Sequence, residues 1–176
     1  NDLSGKSLSY GYGASITPIS LINTYATLLN GGYFIEPKII KSSKTKKFRV
    51  FSENLSIQIR ELLYNVVTQG SAKMAQIDGI KIGGKTGTAR KTDNKNYNDQ
   101  VLTSFIGAFP INKPKYIILV LFDEPESKNG FNFYGGNTAA PVFSNILERI
   151  AIDLKVYPES NKRKILQTKH KSDETF

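Results

Sequence analysis

The sequence predicts an α+β chain, an α/β three-layer arrangement in which an antiparallel sheet is flanked by helices. Three observations carry this. Residues 103–110 and 116–122 are strand-like runs joined by Ile111-Asn-Lys-Pro-Lys115, a link that suits a hairpin and not a parallel crossover, so the two are antiparallel neighbours. The run 116–122 is apolar on both faces, which predicts a central strand covered on each side. Further segments repeat apolar residues at helical spacing and can supply that cover.

The elements follow in order. Residues 1–16 are rich in Gly, Ser and Tyr and read as a loop, with Gly11 and Gly13 in tight turns. Thr17 and Pro18 give a cap and a first helical position. Ile19, Ile22, Ala26 and Leu29, widened by Leu21, Tyr25 and Leu28, form the stripe of a well-buried helix that Asn30-Gly-Gly32 stops. Residues 33–51 read as a hairpin with strands at 33–35 and 37–40, a polar turn, and a returning strand at 48–51. Ser52 caps a helix whose buried face is Leu55, Ile59, Leu62 and Val66 with Leu63 and Val67, and Gly70 ends it.

A strand is predicted over 80–90, where Ile80 and Ile82 alternate with Lys81 and the glycines allow close backbone approach. Polar residues 91–100 read as a loop beside it. After strands 103–110 and 116–122, residues 123–138 form a glycine-bearing loop. Pro141 opens a last helix, with Val142, Phe143, Ile146, Leu147, Ile150 and Leu154 lying across the sheet. The reading is one domain, residues 1–157, followed by a basic, disordered tail at 158–176.

Composition sets limits. The chain has 176 residues, enough for one core, and no apolar run of about 18 residues that would span a membrane. No charged-then-apolar leader is present in this stretch. The absence of cysteine excludes disulfides and thiolate metal sites. The net charge of +9 invites a nucleic-acid or envelope-binding module. The basic residues cluster at 38–49 and 162–171, without interleaved aromatics or a nucleic-acid fold signature, and read as solvated loop and tail. His170 lies in that tail without ligand partners, and neither a metal site nor a cofactor is expected.

The chemistry concentrates at residues 85–88. On a strand, Lys85, Gly87 and Ala89 face one way, and Thr86, Thr88 and Arg90 the other. A cation, hydroxyls and open backbone amides suit the carboxylate end of a peptide. A competing pattern overlaps it: Gly79 to Thr86 satisfies G-x-x-x-x-G-K-[ST], and the apolar run ending at Asp123 has the look of the magnesium-holding strand of a nucleotide hydrolase. Its context is poor. No buried strand precedes Gly79, Gly87 and the threonines suit a helix start badly, and no helix separates the two motifs.

Lys85-Thr-Gly87 is one signature of the penicillin-binding and β-lactamase superfamily. Around it, in order, stand Ser9-Tyr-Gly-Tyr-Gly13 with Thr17-Pro18, Gly84-Lys-Thr-Gly-Thr-Ala89, Ser104-Phe-Ile-Gly-Ala-Phe-Pro110, and Tyr134-Gly-Gly136 running into Ala139-Ala-Pro-Val-Phe143. Together they resemble the C-terminal half of the transpeptidase domain of a class B penicillin-binding protein, most like its septal, cell-division branch. The likeness covers about residues 3 to 154.

The resemblance implies a β-lactamase/transpeptidase-like fold, incomplete in this chain. It also implies serine acyl transfer on peptidoglycan stem peptides ending in D-alanyl-D-alanine, with penicillins acylating the same serine. Lys85 would join the hydrogen-bond network of that serine. Thr86 and Thr88 would take the terminal carboxylate, the Thr88 amide would donate to the oxyanion, and Gly87 would leave room for substrate as an added strand. Implied partners are stem peptide, β-lactams, the N-terminal half of the same domain and other division proteins, and not nucleic acid. The implied location is the periplasmic face of the bacterial inner membrane, through an anchor outside this chain.

The family's nucleophile motif, Ser-x-x-Lys, is matched only by Ser43-Lys-Thr-Lys46, in a polar turn. Ser52-Glu-Asn54 and Ser127-Lys-Asn129 match Ser-x-Asn but read as a cap and a late loop. The chain by itself is therefore expected not to be acylated, and to carry an unpaired sheet edge with poor solubility.

Overall fold

A computed structural model describes residues 11, 15–41, 44–93, 96–126 and 133–156, with the backbone alone at 92–93 and 96–99. The tail, most of the Ser9–Gly13 motif, Ser43 and Ser127 lie outside the described residues.

Helix α1 is Pro18–Leu29, and Thr17 caps it by accepting from the Ser20 amide. Asn30 is its C-cap, and Gly31 and Gly32 follow with φ of +92° and +86°, a conformation that costs any residue with a Cβ. The helix is less buried than its stripe predicts. Thr27 and Leu29 are buried, whereas Ile19 is exposed because no described element covers the first turn.

Helix α2 is Glu53–Thr68, capped by Ser52 Oγ, which accepts from the Leu55 amide at 3.2 Å. Ser56 is buried where α2 meets α1: it donates to Leu28 O at 2.6 Å and accepts from Gly31 N at 3.0 Å. The packed face runs through Ile59, Leu63, Tyr64 and Val67. Leu55 and Leu62, expected inside, are exposed, Leu62 by 65%. The helix carries two apolar stripes, and the rest of the fold covers one.

Strands β1 (Tyr33–Ile35) and β2 (Lys47–Arg49) pair antiparallel, Tyr33 opposite Arg49 and Ile35 opposite Lys47. The hairpin is therefore present but short. Residues 37–40 form no strand, and Ile39 and Ile40 project into solvent. Pro37 has no N–H to continue a ladder.

The main sheet contains β3 (Gly83–Asp93), β4 (Asn96–Phe109) and β5 (Tyr116–Asp123), antiparallel in the order β3-β4-β5. Three expectations are corrected. The strand begins at Gly83 and not at Ile80, which instead bridges Ile77 in a turn. Residues 91–93 and 96–100 extend β3 and β4 as a paired ribbon instead of forming a loop. Among the described strands β4, not β5, is central.

The cover on both sides of β5 is as expected. On one face, Ile117 and Ala108 meet Leu28 and Leu29 of α1 and Ile59 and Leu63 of α2. On the other lies α3 (Ala139–Ile150), beginning two residues before Pro141. Its Phe143 packs edge-on against Phe105 at 4.9 Å and Phe109 at 6.0 Å, all three with 0% exposure. Burial of each ring contributes roughly 1.5–3 kcal/mol, and each edge contact about 0.5–1.5 more. The result is helix, antiparallel sheet, helix.

Candidate functional site

Strand β3 has no described partner on its outer side, so Lys85–Thr88 lie along a border of the sheet. Lys85 pairs with Ile106 and Gly87 with Ser104 across to β4. Lys85 Nζ donates to Thr86 O at 2.9 Å, which places that carbonyl on the outer edge. Backbone groups alternate along a strand, so the N–H and C=O of Thr88 also point outward. A peptide laid along this border would find the Thr86 and Thr88 backbone unsatisfied by β4.

Tight packing places these residues. A Cβ on Gly84 would lie 2.4 Å from the Phe105 ring and 2.6 Å from Ile106 O, so only glycine lets β3 sit this closely on β4. Residue 135 lies directly over the Gly87–Ser104 pair: a Cβ there would come within 2.2 Å of Ser104 O and 2.7 Å of Gly87 O. The loop before α3 thus rests its backbone on the sheet. Gly135 N donates to Thr88 Oγ1 at 3.1 Å, and Thr138 Oγ1 engages Tyr134 O at 2.8 Å and Thr103 Oγ1 at 3.0 Å.

Thr86 and Thr88 open into a cleft of about 350 Å³, walled by Gly70–Met74 on one side and Tyr134–Asn137 on the other. Thr86 Oγ1 lies 2.9 Å from Ser71 Oγ. The hydroxyl chemistry suits an anion. Thr88 Oγ1 accepts from Gly135 and keeps its own proton to donate, and a Ser71–Thr86 pair likewise leaves one proton for a ligand. Among the described residues lining the cleft, Lys73 is charged and no acid is present. Such a lining suits an anionic group.

The structure divides the four sequence candidates. Thr86 and Thr88 line this cleft, while Lys85 and Gly87 belong to the opposite face of the strand, with the exposed Lys85 ammonium turned back to the edge. Ser71, Lys73 and the Tyr134–Gly136 backbone were not singled out as site residues. The signal for Gly135 was its place in the Tyr-Gly-Gly run, whereas nothing local marked Ser71 or Lys73.

The nucleotide alternative fails on this geometry. Gly83 to Thr88 are strand, and no helix starts at Lys85-Thr86. Asp123 pairs with Leu102, whereas Lys85 pairs with Ile106 four positions away, about 13 Å along the sheet. Asp123 and Glu124 instead hold Lys91 Nζ, each at 2.6 Å. No group of His, Cys, Asp and Glu residues suited to a metal occurs among the described residues.

The family model of the penicillin-binding protein transpeptidase domain matches residues 1–148. The chain belongs to this family. Among curated relatives, this transpeptidase-family chain is 35% identical over 167 residues to stage V sporulation protein D of Bacillus subtilis, covering 87% of the chain and 25% of that protein. It is 30% identical over 168 residues to peptidoglycan D,D-transpeptidase FtsI of Buchnera aphidicola, covering 91% of the chain and 29% of that protein. The chain thus spans less than a third of these relatives' length.

Among solved structures, the apo transpeptidase domain of Burkholderia pseudomallei penicillin-binding protein 3 superposes with a TM-score of 0.80 at 31% identity, covering 90% of this chain and 49% of that one. Penicillin-binding protein 3 of Mycobacterium tuberculosis, complexed with aztreonam, gives 0.74 at 26% identity, covering 86% and 39%. The helix–antiparallel sheet–helix arrangement is therefore part of the β-lactamase/transpeptidase fold, as the resemblance implied.

Proposed function

We propose that this chain supplies the substrate-gripping sheet border of a serine D,D-transpeptidase that cross-links peptidoglycan stem peptides by an acyl-enzyme route. The observation that carries the reading is the presence of the Thr86 and Thr88 hydroxyls in one cleft that, among the described residues, holds no acid and lies beside a strand edge without a partner. A stem peptide would add as a strand along β3, its terminal carboxylate taken by Thr86 and Thr88; the room expected at Gly87 for substrate is instead filled by Ser104 Oγ, 2.5 Å from where a Cβ would stand. The outward Thr88 amide suits an oxyanion donor, where a hydrogen bond strengthens as the tetrahedral intermediate forms. Lys85 would assist proton movement at the serine.

No residue of the chain is assigned as that serine. Ser52 is occupied as the α2 cap, and Ser43 and Ser127 lie outside the described residues. The nucleophile then comes from another part of the domain, and β-lactams would be recognised by the same border. Division proteins as partners and the periplasmic face of the inner membrane as location follow from the same reading.

A labelled penicillin tests this. Incubation with the purified 176-residue chain is expected to give no covalent adduct. A peptide ending in D-alanyl-D-alanine is expected to bind weakly and to lose binding in Thr86→Val/Thr88→Val. A stoichiometric adduct would overturn the assignment of the nucleophile, and unchanged peptide binding in the double variant would overturn the site.

A further inference from the structure

We propose that Thr138 is a positioning residue for the carboxylate site. Its hydroxyl holds the Tyr134–Gly135 peptide unit so that Gly135 N–H occupies Thr88 Oγ1 and the Thr88 proton is left for the ligand. The inference rests on the proposed function, in which Thr88 meets the substrate carboxylate. Thr138 is the N-cap residue of α3, yet its side chain makes no capping bond. A threonine at that position ordinarily accepts from an amide of the first helical turn. Here the Ala139 and Ala140 amides donate to Gly135 O instead, at 3.1 and 2.9 Å. The hydroxyl turns to Tyr134 O at 2.8 Å and to Thr103 Oγ1 at 3.0 Å.

These two contacts bear on Thr88 through one rigid plane. Tyr134 C=O and Gly135 N–H belong to the same trans peptide, so they point in opposite directions and rotate together. Thr138 grips the carbonyl end, while the amide end meets Thr88 Oγ1 at 3.1 Å. Asn137 N and Thr138 N reach the same carbonyl, both at 3.0 Å, but they belong to the turn and move with it. The hydroxyl ties that turn to the sheet through Thr103, which is 0% exposed and stands directly opposite Thr88 across β3 and β4. A threonine hydroxyl has one proton to give and two sites that accept. With an amide held against one of those sites, the Thr88 proton is directed away from Gly135.

Amide exchange and peptide binding on the full chain test it together. Thr138→Val keeps the branched side chain and removes the hydroxyl, whereas Thr138→Ser keeps the hydroxyl. Without ligand, the Gly135 amide should exchange with solvent about fivefold faster in Thr138→Val, while the β5 amides stay unchanged. The same variant should bind a peptide ending in D-alanyl-D-alanine about fivefold more weakly and its amidated form no differently. Thr138→Ser should restore both values. Because the single valine leaves buried Thr103 without its partner, Thr103→Val/Thr138→Val removes both hydroxyls and should reproduce both effects with the fold kept. A Gly135 amide unchanged in both valine variants overturns the proposal, as does a serine variant that behaves like valine. Equal weakening of the free and amidated peptides does so too, since it marks a general structural role. A wild-type chain indifferent to amidation would instead sink the proposed function, and the Gly135 amide, read without ligand, tells the two failures apart.

Discussion

The hydroxyl oxygens of Ser71 and Thr86 lie 2.9 Å apart, joining the turn after α2 to the border strand of the sheet. One hydroxyl donates to the other, and the accepting group keeps a proton for a ligand, slightly polarised by the bond it receives. Ser71→Ala removes that support without disturbing a buried group. The expected outcome is about fivefold weaker binding of a D-alanyl-D-alanine peptide, as for the loss of one neutral hydrogen bond of about 1 kcal/mol, with an unchanged thermal midpoint. Titration calorimetry and thermal unfolding on the same variant check both parts.

Lys73 is the charged residue among the described ones lining the cleft. Lys73→Gln should weaken a peptide with a free terminal carboxylate a few-fold and leave its amidated form unaffected. The difference should shrink at high salt, because an exposed charge is screened. Paired titrations at low and high ionic strength measure this.

Gly135 has no room for a methyl group, since its Cβ would lie 2.2 Å from Ser104 O. In Gly135→Ala the loop must lift off the sheet, breaking the bond from Gly135 N to Thr88 Oγ1. A loss of about 1–3 kcal/mol in stability is expected, together with loss of peptide binding. Phe143→Ala, by contrast, opens a cavity against Phe105 and Phe109 and should cost about 3–5 kcal/mol. Urea titration separates the two.

Among the described residues, Lys91 and Tyr25 make stability depend on pH on the alkaline side. Hydrogen bonds to Asp123 and then Glu124 hold the Lys91 ammonium above its ordinary value of 10.5. Burial pushes the Tyr25 phenol above 10.0. Both keep their protons in the folded chain at a pH where the unfolded chain begins to release them. Their contributions are therefore present below about pH 10 and are lost as pH rises through the folded values. Urea midpoints should fall as pH rises above about 10, and less steeply in Lys91→Met and in Tyr25→Phe.

How much of this was legible in the sequence depended on whether the determinant was local. Thr17-Pro18 and Ser52 announced their helices because a cap is settled within three residues. The β4–β5 pair followed from a short link between apolar runs. The ribbon at 91–100 was not legible, since its polar residues show no alternation and its pairing is set by the partner strand. Leu62 was misplaced because α2 offers two apolar stripes, and tertiary packing chooses between them. Thr86 and Thr88 were readable from strand parity. Ser71 and Lys73 were not, because they reach the cleft from a separate turn.

The proposed function rests on the Thr86–Thr88 edge receiving a peptide's carboxylate end, and amide chemical-shift mapping of the labelled chain tests this directly. Adding a peptide that ends in D-alanyl-D-alanine should shift the amides of Thr86 and Thr88, together with Gly135, and amidating its terminus should abolish the effect. Shifts confined to Gly79–Ile82 on adding magnesium–ATP, or peptide shifts indifferent to the terminal carboxylate, would contradict it.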